Sequence, residues 1–457
     1  MKSILLFFST FYLLCTCTNR SADVKRFAVE PVYPEKWSEV EGHIKNNWLK
    51  YVETSASLPK PYSYALKPGT LYYWDLYFIN EGLLMQGFTE QALNNIDNFI
   101  FEIEDLGFIP NANGWGTDRS QTPYFAMMVR SYYEKTPQKD KVWLLRAYRA
   151  VLAEYEFWTN TNGNRIENHM TSIDGLQHYS QHSDTVSLIR FYDRVLAGRF
   201  KLSTEVPQPE KIRMASRRMA EAETMDFTPR FEGRCPDFIA VDLNSNLYQY
   251  EMNLAFFERE LGISGYSQWE QRAKHRVELI NRYCWSDERG MFLDYDFINN
   301  RHSRIAAITT VMPLYWGFAS GKQAKSIKKQ LALFDSDGGL VACEPSEQII
   351  AYQWGHKAVW PPVQYLSMVA LKNYGFKNEA YNVAMKYLNV VTGNYVSPVP
   401  VEYNRFRYGT DRRPYGLLWE KYDRNGHIDD SEYPTSEIMG WTAATYLKAL
   451  SLVARNR

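Results

Sequence analysis

The feature that most constrains this chain is a recurrence of apolar residues at steps of three and four. Val142, Leu145, Tyr148, Leu152, Tyr155 and Trp158 form one such stripe, the spacing of a single α-helix face. Trp269, Ala273, Val277, Ile280 and Cys284 repeat it, as do Ala380, Val383, Ala384, Tyr387, Leu388 and Val391, and then Ala444, Leu447 and Leu450. Each stripe predicts a helix turned towards a core. Between them lie long segments rich in Gly, Pro, Asn and Trp, such as Pro110-Asn111-Ala112-Asn113-Gly114-Trp115-Gly116 and Ser336-Asp337-Gly338-Gly339. Loops this long in a compact helical protein are functional or disordered, and their Trp, Asp and Arg content speaks against disorder. No alternating strand–helix pattern and no strand-bound Gly-rich turn is present, which argues against a doubly wound sheet. The helix pairs recur without a linker-like break. The expectation is one all-α domain over residues 37–457, preceded by a polar linker over 18–36.

The first 17 residues read differently. Lys2 opens a short positive region, and Ile4 to Leu14 is an apolar run too short to anchor a helix across a bilayer, the pattern of a secretory signal. Cys15 and Cys17 stand at its end, and Leu14-Cys15-Thr16 before Cys17 has the shape of a loose lipobox. Export is therefore expected, to the periplasm or as an outer-membrane lipoprotein of a bacterium, with Cys17 as the candidate lipid anchor. Only Cys235, Cys284 and Cys343 remain beyond it; they make no disulfide framework and contain no CxxC pair.

Composition narrows the partners. Lys plus Arg and Asp plus Glu each number 52, so the formal net charge is zero, without the basic excess of a nucleic-acid binder. Aromatic residues make up 15% of the 457 residues. Most of these rings must serve a core, while a few exposed flat faces would suit the C–H faces of a sugar ring.

Several motifs fail on spacing. Gly317-Phe318-Ala319-Ser320-Gly321-Lys322-Gln323 looks like a phosphate-binding loop but has one residue too few between its glycines and Gln where a magnesium-binding hydroxyl belongs. His178 and His182 stand four apart without the rest of a metalloprotease motif, so they are read as loop histidines. Asp423-Arg424-Asn425-Gly426 starts like a calcium loop and then loses the ligand spacing. No metal and no organic cofactor is expected. What survives is a set of carboxylates in aromatic-rich contexts: Asp75 in Tyr73-Trp74-Asp75-Leu76-Tyr77, Asp226 between Met225 and Phe227, and Glu432 beside Tyr433. Two carboxyl groups held in different protonation states, one against an apolar wall, are what hydrolysis of a glycosidic bond requires.

Taken together and in order, these segments resemble the trehalase family, glycoside hydrolase family 37. Pro68-Gly69-Thr70-Leu71-Tyr72-Tyr73-Trp74-Asp75-Leu76-Tyr77-Phe78 is similar to its first signature, and Gly107 to Asn111 with Arg119 to Pro123 to the next block. Gly175-Leu176-Gln177-His178-Tyr179 follows, then Asp226-Phe227-Thr228-Pro229-Arg230 with Val241-Asp242-Leu243-Asn244. Gln353-Trp354 and Trp360 resemble the second signature. Glu420-Lys421-Tyr422-Asp423, Glu432-Tyr433 and Gly440-Trp441-Thr442 resemble the block that holds the general base. The resemblance implies an (α/α)6 toroid of the six-hairpin glycosidase kind, whose long loops build a central pocket. It implies an inverting α-glycosidase with Asp226 as general acid and Glu432 as general base, their carboxyls about 6.5–9.5 Å apart to admit a water. Asp75 and Arg119 would hold sugar hydroxyls, and Trp74 and Trp354 would form walls. Asn113, Gln121, Gln177, His178, Arg230, Gln353, Trp360 and Trp441 complete the candidate substrate contacts.

The departures are as specific as the matches. The arginine that precedes Tyr-Trp-Asp in the family is absent, with Thr70-Leu71 in its place. The Arg-Pro-x-Pro-Glu-Ser run after the Gly-Leu-Gln-His-Tyr block is Ser180-Gln181-His182-Ser183-Asp184 here. Gly355 and Lys357-Ala358-Val359 replace residues of the second signature, and Ile428-Asp429-Asp430-Ser431 replaces the glycine run before Glu432. Each lost charge-assisted hydrogen bond is worth roughly 1.5–3 kcal/mol. The expected substrate is a small carbohydrate, with trehalose first and another α-glucoside or α-linked oligosaccharide as the alternative. A non-catalytic carbohydrate-binding lipoprotein is the reading from another class. A monomer is expected.

Overall fold

The computed structural model describes residues 29–65, 68–160, 169–346, 352–398, 416–429 and 440–454. Its helices, in chain order, begin with α1 (Trp37–Asn47), α2 (Tyr73–Met85), α3 (Thr89–Leu106), α4 (Phe125–Lys135) and α5 (Lys141–Thr159). Then come α6 (Thr185–Phe191), α7 (Ala197–Phe200) and α8 (Gln208–Met219), followed by α9 (Val241–Leu261) and α10 (Tyr266–Tyr283). The remainder are α11 (Met312–Tyr315), α12 (Gly321–Gln330), α13 (Pro361–Asn373), α14 (Lys377–Val396) and α15 (Gly440–Ala454).

Packing sorts these helices into two rings. Helix α2 packs on α4, α4 on α9, α9 on α11, α11 on α13, α13 on α15, and α15 returns to α2, closing an inner ring. Outer helices pack on inner ones, as α3 does on α2 and α4, α5 and α10 on α9, and α14 on α13 and α15. Inner and outer helices alternate along the chain, the (α/α)6 toroid the resemblance implies.

The two rings differ in sequence as their burial demands. An inner helix is covered on all sides and shows no exposed polar face. Every residue of α2 from Tyr73 to Leu83 is buried, as is α15 from Gly440 to Leu447. An outer helix buries one stripe. In α3 the stripe is Ala92, Ile96, Phe99, Ile100 and Ile103, and the helix stops at Gly107, whose φ of 83° suits the left-handed cap. The predicted stripe of α14 is buried at all six positions. That of α5 is rotated: Val142 is 83% exposed, while Leu144, Ala147 and Val151 are fully buried beside Tyr155 and Trp158. Val142 sits in the first turn, beyond the edge of the neighbouring helices.

The rejected motifs have structural explanations. Ser320 is the N-cap of α12, and its hydroxyl and the Gln323 side chain form a reciprocal capping box. The apparent calcium loop is a hairpin turn in which Asp423 Oδ1 accepts the N–H groups of Asn425 and His427. Cys235, Cys284 and Cys343 are buried free thiols. The stretch expected as linker is tied to α14 from Val29 on, where its N–H donates to Asn382 and that of Val32 donates to Asn389.

Short antiparallel strand pairs staple the loops. Ala358 pairs with Asp423 and Val359 with Tyr422, which draws the segment before α15 onto the segment before α13. Phe238–Ile239, Tyr295–Asp296 and Arg301–His302 form a three-stranded piece beside the start of α9. Helices α6, α7 and α8 stand apart, with a small hydrophobic cluster of their own.

Candidate active site

The loops that precede α2, α4, α9 and α13 meet the segment 416–429 at the end of the ring where the inner helices begin. Asp75 lies in the first turn of α2 and is 4% exposed. Two contacts fix its helix: Gln121 Oε1 accepts the Trp74 N–H at 3.0 Å, and Asn113 Oδ1 accepts the Leu71 N–H at 2.6 Å. Gln121 and Asn113 thus shape the pocket from behind the wall and commit these acceptors to backbone.

Three carboxylates converge. Burial first, then the charges of Glu420 and Asp226, push the Asp75 carboxyl up to about 8, so it carries its proton at neutral pH. One of its oxygens is buried without a hydrogen-bond partner among the described residues. Tyr72 faces the same group: burial and then Asp75, Glu420 and Asp226 raise its phenol, against which Arg119 acts. Arg119 contacts Asp118 at 2.5 Å and keeps its Nε buried and unbonded among the described residues. Asp226, Asp75 and Glu420 are therefore neighbours, with Tyr72 and Arg119 beside them.

Four predicted tryptophans form the aromatic wall. Trp354 stacks on Trp360 with centroids 4.1 Å apart and planes 11° apart. Trp74 lies 5.3 Å from Trp354 and 6.0 Å from Trp441, the latter edge-on. The Trp441 indole donates to the Glu420 carbonyl at 3.0 Å, which ties that acid to the wall. The Gln353 carbonyl accepts the Trp360 indole at 3.1 Å, so Gln353 contributes through its backbone. Trp115 is 46% exposed and meets Tyr72 edge-on at the rim.

Other predicted contacts take structural roles. Arg230 is completely buried, with Nη2 2.6 Å from Asp242 and Nε 3.3 Å from Asp294. It holds the loop of Asp226 onto α9 instead of reaching a substrate, and Asp242 in turn accepts the Thr224 hydroxyl at 2.8 Å. Gln177 binds Arg276 of α10 through its carbonyl oxygen and Met170 through its amide, so its side chain is committed away from the carboxylates. His178 and His182 do not share a helix turn; His178 stacks on Phe297, whereas His182 lies against Phe157. A buried carboxylate, Glu223, carries more of the loop than the sequence suggests. It accepts the N–H groups of Ser120 and Ser180 and pairs with His169 at 3.0 Å. Burial opposes its charge, but these donors win and hold its carboxyl below the ordinary value.

Glu432 lies outside the described residues. Glu420, in the same block, is 3% exposed. Its signal in the sequence is local: Leu417-Leu418-Trp419 precede it, an apolar run that buries an acid, whereas Glu432 follows Asp429-Asp430-Ser431. A closed double ring of helices that gathers carboxylates and tryptophans at one mouth defines a protein of the (α/α)6 toroid class.

The trehalase family profile matches residues 16–454, and the chain belongs to that family. It is 31% identical over 442 residues to the cytosolic neutral trehalase of Saccharomyces cerevisiae, covering 85% of this chain and 56% of the relative. The chain thus spans a little over half the length of that relative. It is 26% identical over 472 residues to the periplasmic trehalase of Escherichia coli O1:K1, covering 93% and 76%. Among solved structures it is similar to the neutral trehalase Nth1 of S. cerevisiae, with a TM-score of 0.68, 26% identity and coverage of 90% and 80%. A GH63 mannosylglycerate hydrolase from Thermus thermophilus shares the fold at a TM-score of 0.60 and 14% identity, covering 91% and 99%.

Proposed function

We propose that this chain hydrolyses an α-glucosidic bond with inversion, with trehalose the first substrate to test. The observation that carries the reading is the convergence of Asp75, Asp226 and Glu420 beside the Trp74–Trp354–Trp441 wall. Asp226 protonates the leaving oxygen. A carboxylate on the other face of the sugar takes a proton from the attacking water. The sequence pattern points to Glu432 for that task, but the proximity of Glu420 to Asp75 favours Glu420 as the base, with Glu432 left to grip substrate. Asp75, protonated at neutral pH, donates a hydrogen bond to a sugar hydroxyl, and Arg119 contributes its fork of donors. The relatives' names support trehalose, and the periplasmic one among them, unlike the cytosolic yeast enzyme, supports export. We extend that reading to a lipid anchor at Cys17 and a monomeric catalytic unit.

The test is proton NMR of trehalose hydrolysis. Inversion releases one α-glucose and one β-glucose per cleavage, so an initial signal of α-glucose alone overturns the mechanism. Asp226→Asn and Glu420→Gln are each expected to lower kcat by about 10²–10⁴-fold, the share of a general acid or base. If Glu432→Gln does so while Glu420→Gln stays active, the base assignment moves to Glu432.

A further inference from the structure

The helices α6 to α8 interrupt the alternation of the double ring, and their small core is not self-sufficient. It contains Leu188, Tyr192, Leu196, Phe200, Ala215 and Met219 from the insertion itself. Among the described residues, two side chains from elsewhere complete it, Phe227 and Tyr352. Both adjoin the pocket. Phe227 directly follows Asp226, and Tyr352 stands two residues before Trp354.

Phe227 is gripped on more than one side. Its ring is stacked with Phe191 at 6.2 Å and 28°, and Phe200 lies 6.1 Å away. The Arg199 guanidinium sits 3.8 Å from the ring centroid, close enough for cation–π attraction. Tyr352 is held in the same way, 5.7 Å from Phe200 and 5.6 Å from the Arg218 guanidinium. The backbone at Phe227 has φ of 49°, in the left-handed region that a bulky residue seldom enters. Such a conformation persists where surrounding contacts over-determine it. Here the contacts come from the insertion, through Phe191, Arg199 and Phe200, on the residue next to Asp226.

We infer that the insertion is a positioning element for the general acid, acting through Phe227 as its positioning residue and through the Arg199 cap on that ring. This rests on the reading of Asp226 as the acid. The insertion also ties Asp226 to the Trp354 wall, because Phe227 and Tyr352 share one small core. Loosening Phe227 should therefore impair proton delivery to the leaving group more than it impairs attack by water.

That difference can be read with two substrates. Trehalose has a poor leaving group that needs protonation; α-D-glucopyranosyl fluoride releases fluoride without help from a general acid. Phe227→Ala is expected to lower kcat for trehalose by about 10- to 100-fold, within the share of a general acid, and to change kcat for the fluoride by no more than about 3-fold. Arg199→Ala should show the same split at smaller size, and Phe227→Tyr should restore the wild-type ratio. Equal losses on both substrates, or no loss on either, would overturn the inference. If Phe227→Ala does not fold, Arg199→Ala decides by the same ratio. Asp226→Asn separates the two readings: it must lose trehalose turnover and keep the fluoride. If it loses both equally, the assignment of the acid fails. If it shows the split and the Phe227 and Arg199 variants do not, only the positioning role fails.

Discussion

Two carboxylates six residues apart on one helix meet opposite fates. Asp75, at the start of α2, is buried among Glu420, Asp226 and tryptophans, and its carboxyl is pushed up to about 8. Glu81, near the end of α2, is also buried, but Lys135 donates to it at 2.7 Å and the Ser131 hydroxyl bonds it too. Burial raises its carboxyl, but Lys135, with Lys448 and the Ser131 hydroxyl, more than offsets that, so the net shift is downward. Glu81 lines a recess of about 470 Å³ with Arg130, Glu134 and Asn253, while Tyr77 and Tyr315 share a 2.5 Å hydrogen bond nearby. At the mouth where the inner helices begin, the charges of Glu420 and Asp226 add to burial in raising Asp75. Towards the other mouth Glu81 has Lys135 as its counter-charge. An acid raised by neighbouring acids beside a tryptophan wall marks a candidate working end of the ring, and an acid held down by a lysine marks a structural end.

The sharpest way to break the comparison is to neutralise each acid in turn. Asp75→Asn is expected to lower kcat/KM by about 10- to 100-fold, the loss of a hydrogen bond or two inside a closed pocket. Its stability should respond in the opposite sense. Because the folded carboxyl titrates above its unfolded value, wild type is stabilised relative to its own alkaline form at low pH, and that contribution is lost as pH rises through about 8. The melting temperature of Asp75→Asn relative to wild type should therefore rise from pH 5 to pH 9. Glu81→Gln should do the reverse: kcat within about 2-fold, and a loss of about 1–3 kcal/mol in denaturant unfolding. A Glu81→Gln protein that is stable but inactive would show that both mouths serve the reaction.

Smaller effects sharpen the same contrast. Glu102 on α3 is buried with one oxygen unbonded among the described residues, and burial alone pushes its carboxyl up to about 8. Glu102→Gln should raise the melting temperature at pH 9 and leave it unchanged at pH 4, with no change in kcat, because that acid lies outside the pocket. A drop at pH 9 would mean that the acid has a counter-charge. Least of all, Val142→Ser should alter stability by less than about 0.5 kcal/mol, whereas Leu144→Ala on the same helix should cost about 2–5 kcal/mol. Equal costs would return Val142 to the buried face.

What can be read from the sequence follows from burial. Outer helices such as α5, α10 and α14 show stripes because one face meets water, so their existence is legible. The inner helices α2 and α13 are covered all round and have no period to read; only their order among motifs places them. The buried stripe of α5 is displaced by about one residue from the periodic one because Tyr148 and Tyr155 are long enough to reach the core from its margin. In the pocket, Trp74, Asp75, Trp354, Trp360 and Trp441 stand out as types that suit a sugar, and they do converge. Arg230 and Gln177 mislead because a polar residue in a motif looks the same whether it faces substrate or props a loop. The small core of α6 to α8 leaves no mark in periodicity, since its helices are short and borrow Phe227 from the loop after α8 and Tyr352 from far along the chain.

The ring closes where α15 meets α2, and Trp441 meets Trp74 there. These partners stand at nearly opposite ends of the folded sequence. The contact is thus among the most remote in the molecule, and closing so large a loop of chain is slow. A ribosome making this protein from its N-terminus must finish α15 before α2 has its last neighbour. The inner helices, buried all round in the finished ring, would stand uncovered in the meantime. Competence therefore arrives only once α15 is in place, and until then the half-built ring exposes apolar surface that must be shielded.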